Sequence, residues 1–323
     1  MRSSLIRKAA PRALGWSLVA AGMGAAWLTV RSKSRQAERE HPPTGEFLEV
    51  HGTRLHYLSK GAGKVIVLLH GNGVIADDFR HAGIIDQLAL HHRVIAFDRP
   101  GFGYSDRPHG TAWTPQAQAT LLLAALEQLG IQQAVVLAHS WATLVAISMA
   151  LQAPQRVRAL VLASGYYSPS VRADVLTTAP AIPVIGTVLR HTISPLIGRL
   201  MWPVLVKRAF APTAVPDSFK RLSPWMALRP GQLRAEAEET AMMIPSAAAL
   251  QERYPELRMP VAILAGEADA IVSASYHSEH LHRAIPHSDL TLLPGAGHMI
   301  QHLSQQTLML AVAQVLRLAK QSE

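Results

Sequence analysis

Val135-Val136-Leu137-Ala138-His139-Ser140-Trp141-Ala142 is the stretch on which the reading of this chain turns. Val135–Ala138 is a short, continuously apolar run, as expected of a strand buried on both faces of a parallel sheet. Trp141–Gln152 then reads as a helix that stops before Pro154. A serine at such a junction occupies a sharp strand-to-helix turn, with its hydroxyl pushed out at the carboxyl edge of the sheet. Residues two before and two after it must be small. The usual pattern is G-x-S-x-G, and here Ala138 and Ala142 stand in place of both glycines. Taken alone, Ser140 could equally be an ordinary helix N-cap.

The elements around it decide between the two. A hydroxyl is a poor nucleophile until a neutral imidazole takes its proton, and a carboxylate must orient that imidazole. Ala265-Gly266-Glu267-Ala268-Asp269 follows an apolar run at Val261–Ala265, which puts Asp269 in a loop at the same sheet edge. Pro294-Gly295-Ala296-Gly297-His298 follows the next run, Leu290–Leu293, and delivers His298 to that edge on a glycine-rich loop. Ser140, Asp269 and His298 are therefore the candidate nucleophile, orienting acid and general base, in the chain order Ser, Asp, His.

Further runs at Val65–His70, Val94–Phe97 and Leu160–Ala163 alternate with helical stretches such as Pro115–Leu129. Glu46–Ser59 reads as an opening hairpin with His51-Gly52-Thr53 near its turn. The alternation predicts an α/β domain over 46–323, a mostly parallel sheet with helices on both faces. It stops from Tyr166 to about Glu256, a greasy stretch that holds 11 of the 21 prolines. Prolines so spaced predict short helices with kinked joints, and the length predicts a helical cap rather than a loop.

With these motifs in order, the chain resembles the α/β-hydrolase fold family from about Glu46 to Lys320. His70-Gly71-Asn72-Gly73 resembles that family's oxyanion loop, which implies the backbone N–H groups of Asn72 and Trp141 as the oxyanion donors. Asp98-Arg99-Pro100-Gly101-Phe102-Gly103-Tyr104-Ser105 resembles the loop after the following strand, and by that likeness Asp98 is architectural. The family implies a serine hydrolase that works through an acyl-enzyme. The apolar cap points to a lipophilic substrate, an ester of short or medium acyl chain first. Carbon–carbon bond hydrolases and perhydrolases resemble the chain in the same triad. Haloalkane dehalogenases resemble it in the H-G-N loop and in the tryptophan after the nucleophile, but their nucleophile is an aspartate.

A dinucleotide-binding oxidoreductase is the chief alternative. Gly71-Asn72-Gly73-Val74-Ile75-Ala76 satisfies G-x-G-x-x-A after a strand, with Asp98 ending the next strand. It leaves Ser140, Asp269 and His298 without a purpose. A non-catalytic module on the same fold would be expected to have lost a triad member, and none is lost. His277, His280, His282 and His287 match no zinc motif and read as a solvated cluster, and Gly61-Ala62-Gly63-Lys64 lacks the length of a P-loop. Neither a metal nor a cofactor is expected.

The N-terminus carries most of the charge. Residues 1–40 hold eight Lys and Arg against Glu38 and Glu40, so they account for six of the nine net positive charges. The body is near neutral, which argues against a nucleic-acid surface. Ala13–Val30 has no charged side chain and carries Trp16 and Trp27 near its ends, the pattern of a single-pass membrane anchor. A cleaved signal peptide is the competing reading. Residues 31–45, with Pro42-Pro43 and Gly45, read as a tether, so that 1–45 forms an anchor and linker. With no cysteine, a disulfide framework and a thiol nucleophile are both excluded.

Overall fold

The computed structural model describes residues 3–170 and 178–321, with side chains from residue 15 onward. A long helix α1 (Ser3–Glu40) leads into the hairpin β1 (Glu46–Val50) and β2 (Thr53–Lys60). Then come β3 (Val65–Leu69), α2 (Asp77–His81), α3 (Ile84–Ala89), β4 (Arg93–Phe97), α4 (Pro115–Gln128), β5 (Ala134–His139), α5 (Ala142–Gln152) and β6 (Val157–Ala163). The segment before the next strand holds α6 (Ile185–His191), α7 (Ile193–Phe210), α8 (Asp217–Lys220), α9 (Pro224–Ala227) and α10 (Pro230–Gln251). The fold closes with β7 (Val261–Gly266), α11 (Ala274–Ala284), β8 (Asp289–Leu293), α12 (Ile300–Leu303) and α13 (Gln305–Gln321).

The eight strands form one sheet in the order β1-β2-β4-β3-β5-β6-β7-β8, antiparallel at the hairpin end and parallel from β4 to β8. Its centre is buried on both faces because each strand divides its side chains between two cores. Val67, Leu69, Val136 and Ala138 face the layer of α4 and α5, whereas Ile66, Leu68, Val135 and Leu137 face α3 and α13. Each fully buried Val, Leu or Ile side chain among them contributes about 1.5–3 kcal/mol. The hairpin turn is carried by His51 (φ 50°) and Gly52 (φ 72°), the left-handed pair that a two-residue turn requires.

The strand order reverses between β3 and β5, the point at which such sheets open a crevice beyond their carboxyl ends. Registers across it are flush: Leu69 lies beside Ala138, His139 beside Ala163, and Ala163 beside Leu264. Loops leaving β3, β5, β7 and β8 therefore emerge on one edge.

Three expectations are corrected. The cap is not built only of short helices, for α7 spans 18 residues through Pro203 and α10 spans 22 through Pro245. Both prolines face solvent, where water can satisfy the carbonyl that each leaves without a helical donor. The N-terminal segment also differs. No helix among the described residues is long and apolar enough to cross a membrane, and the side chains of Ala13 and Leu14, which open the expected span, lie outside the described residues. The described part of that run is interrupted by Gly15, Gly22 and Gly24 and ends at Arg31.

Residues 31–40, expected as a tether, continue the helix instead. They contain no Gly or Pro, and Lys33 donates to Gln36 and Gln36 to Glu40 along one face. Ala37 is buried in an apolar cluster with Ile75, Phe102, Phe210 and Met226, while Glu38 pairs with Arg229 at 3.1 Å. Only residues 41–45 remain as a link to β1, and there the Tyr104 hydroxyl donates to the His41 carbonyl.

Candidate functional site

The turn between β5 and α5 holds Ser140 at φ +56°, a left-handed conformation that a non-glycine residue rarely adopts. Its N–H donates to the Ala163 carbonyl at 2.9 Å, which pins the turn to the neighbouring strand. Ala138 and Ala142 are completely buried, so the two methyl groups in place of glycine hydrogens fit inside the core. The constraint falls on Gly71 instead: a Cβ there would come within 2.9 Å of both the Ser140 Cβ and the His139 Nδ1. The loop after β3 thus passes directly against the serine.

His298 Nε2 lies 3.0 Å from Ser140 Oγ, and His298 Nδ1 lies 2.7 Å from Asp269 Oδ2. The other carboxylate oxygen of Asp269 accepts from the N–H groups of Ile271 and Val272 at 2.7 and 2.8 Å. Burial opposes ionisation of Asp269, but His298 and these two N–H groups outweigh it and hold the carboxyl below its ordinary range. An ionised Asp269 fixes the proton of His298 on Nδ1 and leaves Nε2 as an acceptor toward the serine. The three residues that the sequence singles out are brought together as a relay at the carboxyl edge of the sheet.

Asn72 and Trp141 flank the serine from the two adjacent loops. Among the described residues, neither backbone N–H donates to a protein acceptor. The Trp141 indole does not point into a crevice, because its Nε1 donates to the Glu239 carbonyl on α10 at 3.1 Å and the side chain is buried. The Asn72 side chain is likewise engaged, its Oδ1 accepting from Arg99 Nη2 at 3.0 Å.

Three buried groups around the relay are not among the candidate site residues, although the sequence reads His139, next to Ser140, as a packed side chain. Arg99 donates to both Glu239 oxygens at 2.7 and 2.8 Å, to the carbonyls of His70 and Gly71, and to Asn72. It therefore ties the loop after β3 to the cap. His139 packs against His298 with ring centroids 4.9 Å apart, and its Nε2 donates to the His298 carbonyl at 3.1 Å. Burial first, and then His298, lower its pKa to about 3, so it stays neutral and braces the loop. Asp78 accepts from His302 and Gln301 at 2.8 Å, with Ser218 of α8 at 3.2 Å from the other His302 nitrogen. Phe210 and Phe219 enclose that His302 ring edge-on, so the Asp78–His302–Ser218 set fastens the cap rather than facing a crevice.

Asp98 is architectural, as the resemblance implied. One oxygen accepts from Ala76 N at 2.8 Å, and the other from His56 Nδ1 at 2.7 Å and Tyr104 N at 3.0 Å. The carboxylate is buried and both of its oxygens are engaged within the protein, not presented to a ribose hydroxyl, and the helix that follows the glycine motif, α2, opens on Asp77 and Asp78, which would repel a pyrophosphate. The histidine cluster differs from expectation: His277 is buried, and its Nδ1 accepts from the N–H groups of Tyr167 and Ser168 where the chain enters the cap.

A family model described as the alpha/beta hydrolase fold matches residues 64–305. A protein of Mycobacterium tuberculosis, named only as uncharacterized, is 28% identical over 293 residues, covering 85% of this chain and 82% of its own. The 2-hydroxy-6-oxo-2,4-heptadienoate hydrolase of Pseudomonas putida is 25% identical over 258 residues, 77% of this chain and 87% of that enzyme. Among solved structures, a bacterial membrane phospholipase A superposes with a TM-score of 0.66 at 18% identity, over 99% of each chain.

Proposed function

Because the chain belongs to the alpha/beta hydrolase family, we propose that it is a serine hydrolase that cleaves an ester of a small to medium lipophilic substrate. The observation that carries this reading is the Ser140–His298–Asp269 relay, with contacts of 3.0 and 2.7 Å and the serine held at φ +56°. Ser140 Oγ attacks the ester carbonyl while its proton passes to His298 Nε2. Asp269 stabilises the imidazolium that results. The carbonyl oxygen becomes an oxyanion between the backbone N–H groups of Asn72 and Trp141, each contributing on the order of 3 kcal/mol. Collapse of this intermediate breaks the ester C–O bond, and His298 returns the proton to the departing alcohol. Water, deprotonated by His298, then attacks the acyl-Ser140 ester, and the acid is released with the serine restored.

Hydrolysis of a carbon–carbon bond in a dienoic ring-cleavage product is the second reading, favoured by the likeness to the Pseudomonas putida hydrolase over most of both chains. A panel of p-nitrophenyl esters of rising chain length, run on the wild type and Ser140→Ala in parallel, tests the first. Ser140→Ala is expected to lose turnover by up to about a million-fold and to lose fluorophosphonate labelling, with the fold intact. Undiminished labelling of the variant would place the nucleophile elsewhere.

The exposed apolar side chains on the first part of α1, among them Trp16, Leu18, Trp27 and Leu28, support membrane association through the N-terminal segment.

A further inference from the structure

The cap turns an apolar face outward. Among the described residues, ten exposed large apolar side chains fall between Ile182 and Leu205. Six of them, Ile193, Ile197, Leu200, Met201, Val204 and Leu205, recur on α7 at the three- and four-residue offsets of a single helical face. Exposure peaks at the middle of this face, with Leu200 at 79% and Val204 at 60%. The opposite side of α7 is apolar too, for Trp202, Val206 and Phe210 pack into the cluster beneath the cap. A helix apolar on both sides has its outer side matched to a second apolar phase, not to water.

The charge on this segment says which phase. From residue 175 to 216 there is no Asp or Glu, while Arg190, Arg199, Lys207 and Arg208 are all present. Arg199, Lys207 and Arg208 are exposed beside the apolar stripe. α1, which carries exposed Trp16, Leu18, Val19, Trp27 and Leu28, packs against both α6 and α7, so the apolar surfaces adjoin. A second copy docking here would bring like-charged rims together, which opposes association. An anionic lipid surface complements both the stripe and its cations, each cation near such a surface adding favourable attraction.

We propose that the outer face of α6 and α7 docks on an anionic lipid bilayer, making the cap a membrane-contacting element in its own right. The inference extends the reading of α1 as membrane-associated and does not depend on the ester chemistry. It has a consequence for the site, because the carbonyl of Ala209 near the end of α7 accepts from the His298 N–H at 3.0 Å. Lipid contact along α7 therefore brings the relay loop close to the bilayer, where a lipophilic ester is concentrated.

The absence of cysteine allows single labels on the full chain. Leu200→Cys, Leu18→Cys and Leu90→Cys, each carrying an environment-sensitive fluorophore, are mixed with phosphatidylglycerol/phosphatidylcholine vesicles, some containing doxyl-labelled lipid. The Leu200 label is expected to shift to the blue and be quenched by doxyl lipid, less so in high salt, while the Leu90 label stays unchanged. Leu200→Glu combined with Val204→Glu should lower vesicle partitioning by at least on the order of tenfold. A Leu18 label that moves while the Leu200 label does not would show that α1 binds alone and overturn the proposal. So would a Leu200 shift that follows protein concentration without lipid, which would mean that a second copy covers the face. Fluorophosphonate labelling of each variant reports folding; its loss from the wild type would count against the nucleophile only.

Discussion

Arg99 and Glu239 form a doubly hydrogen-bonded ion pair with no solvent exposure at either side chain, although 140 residues separate them in sequence. One partner follows β4 in the core and the other lies on α10 of the cap. The same guanidinium holds Gly71 and Asn72, so a single buried cation joins cap position to the loop that carries the proposed oxyanion donor Asn72. Gln118 and Arg107 also reach Glu239, which leaves few of its lone pairs without a partner.

Glu239→Ala should destabilise the protein by about 3–5 kcal/mol, since a buried Arg99 without its carboxylate keeps its desolvation cost and loses its compensation. Urea unfolding followed by circular dichroism reads the loss. Replacing both partners, Arg99→Met with Glu239→Leu, should recover much of that stability but not the ester turnover, because Asn72 loses its brace. Full recovery of turnover in the double variant would show that Arg99 has no part in positioning that loop.

Gly71→Ala should lower kcat much more than stability. The new Cβ meets the Ser140 Cβ at 2.9 Å, so the loop must move away from Ser140 and carry the Asn72 N–H with it. Displacing one oxyanion donor costs on the order of 10²–10³ in kcat. Steady-state kinetics on a p-nitrophenyl ester, beside a thermal melt, separates the two effects.

Acid should weaken the fold well before its carboxylates titrate. His70 and His139 are both held neutral with pKa values of about 3, chiefly by burial, and secondly by Arg99 for His70 and by His298 for His139. Unfolded, each returns to about 6.5. Above 6.5 both states are neutral, so these histidines leave stability unchanged. Between 6.5 and about 3 the unfolded chain binds the protons and the folded one does not. Stability is therefore lost as pH falls, by up to about 1.4 kcal/mol per pH unit for each histidine. Asp78, Asp98 and Asp269, all held below the ordinary carboxylate range, add their loss only below about 4. Guanidinium unfolding from pH 7 to 4.5 should show this slope in the wild type and a shallower one in His139→Gln. Parallel slopes would remove His139 from the account.

What the sequence makes legible follows from where the information lies. Ser140, Asp269 and His298 each sit just past an apolar run, and a run that short and continuous marks a buried strand whose end fixes the loop. The strand β5 extends the readable run Val135–Ala138 by one residue at each end, so the elbow stays in place. Arg99 and Glu239 leave no such trace, because a contact between residues 140 apart has no local periodicity. Residues 31–40 read as a tether since their helix is mostly polar, and the buried positions Ser34 and Ala37 are too few to show a stripe. His277 looked solvated in the sequence for a related reason: its partners, Tyr167 and Ser168, lie more than a hundred residues upstream.

Ser140 separates this chain from the halide-releasing enzymes that it resembles in its H-G-N loop and in Trp141. Those enzymes use an aspartate nucleophile, whose alkylated form is an ester that water can cleave. Ser140 attacking a haloalkane would instead give an ether, which water does not readily cleave. The indole is also turned away from where a halide would leave, since its N–H donates to the Glu239 carbonyl and Arg99 lies 4.9 Å from its ring. Two outcomes follow. The wild type should release no halide from 1-bromobutane over the buffer rate, measured by ion chromatography. Trp141→Phe should keep its backbone N–H and hence ester kcat within a few-fold, while the lost indole bond lowers unfolding stability by only about 0.5–1.5 kcal/mol, because the Glu239 carbonyl lies inside α10 and keeps its helical donor. Sustained halide release by the wild type would contradict the serine chemistry itself. A collapse of kcat in Trp141→Phe at unchanged stability would instead mean that the indole reaches the reacting atoms.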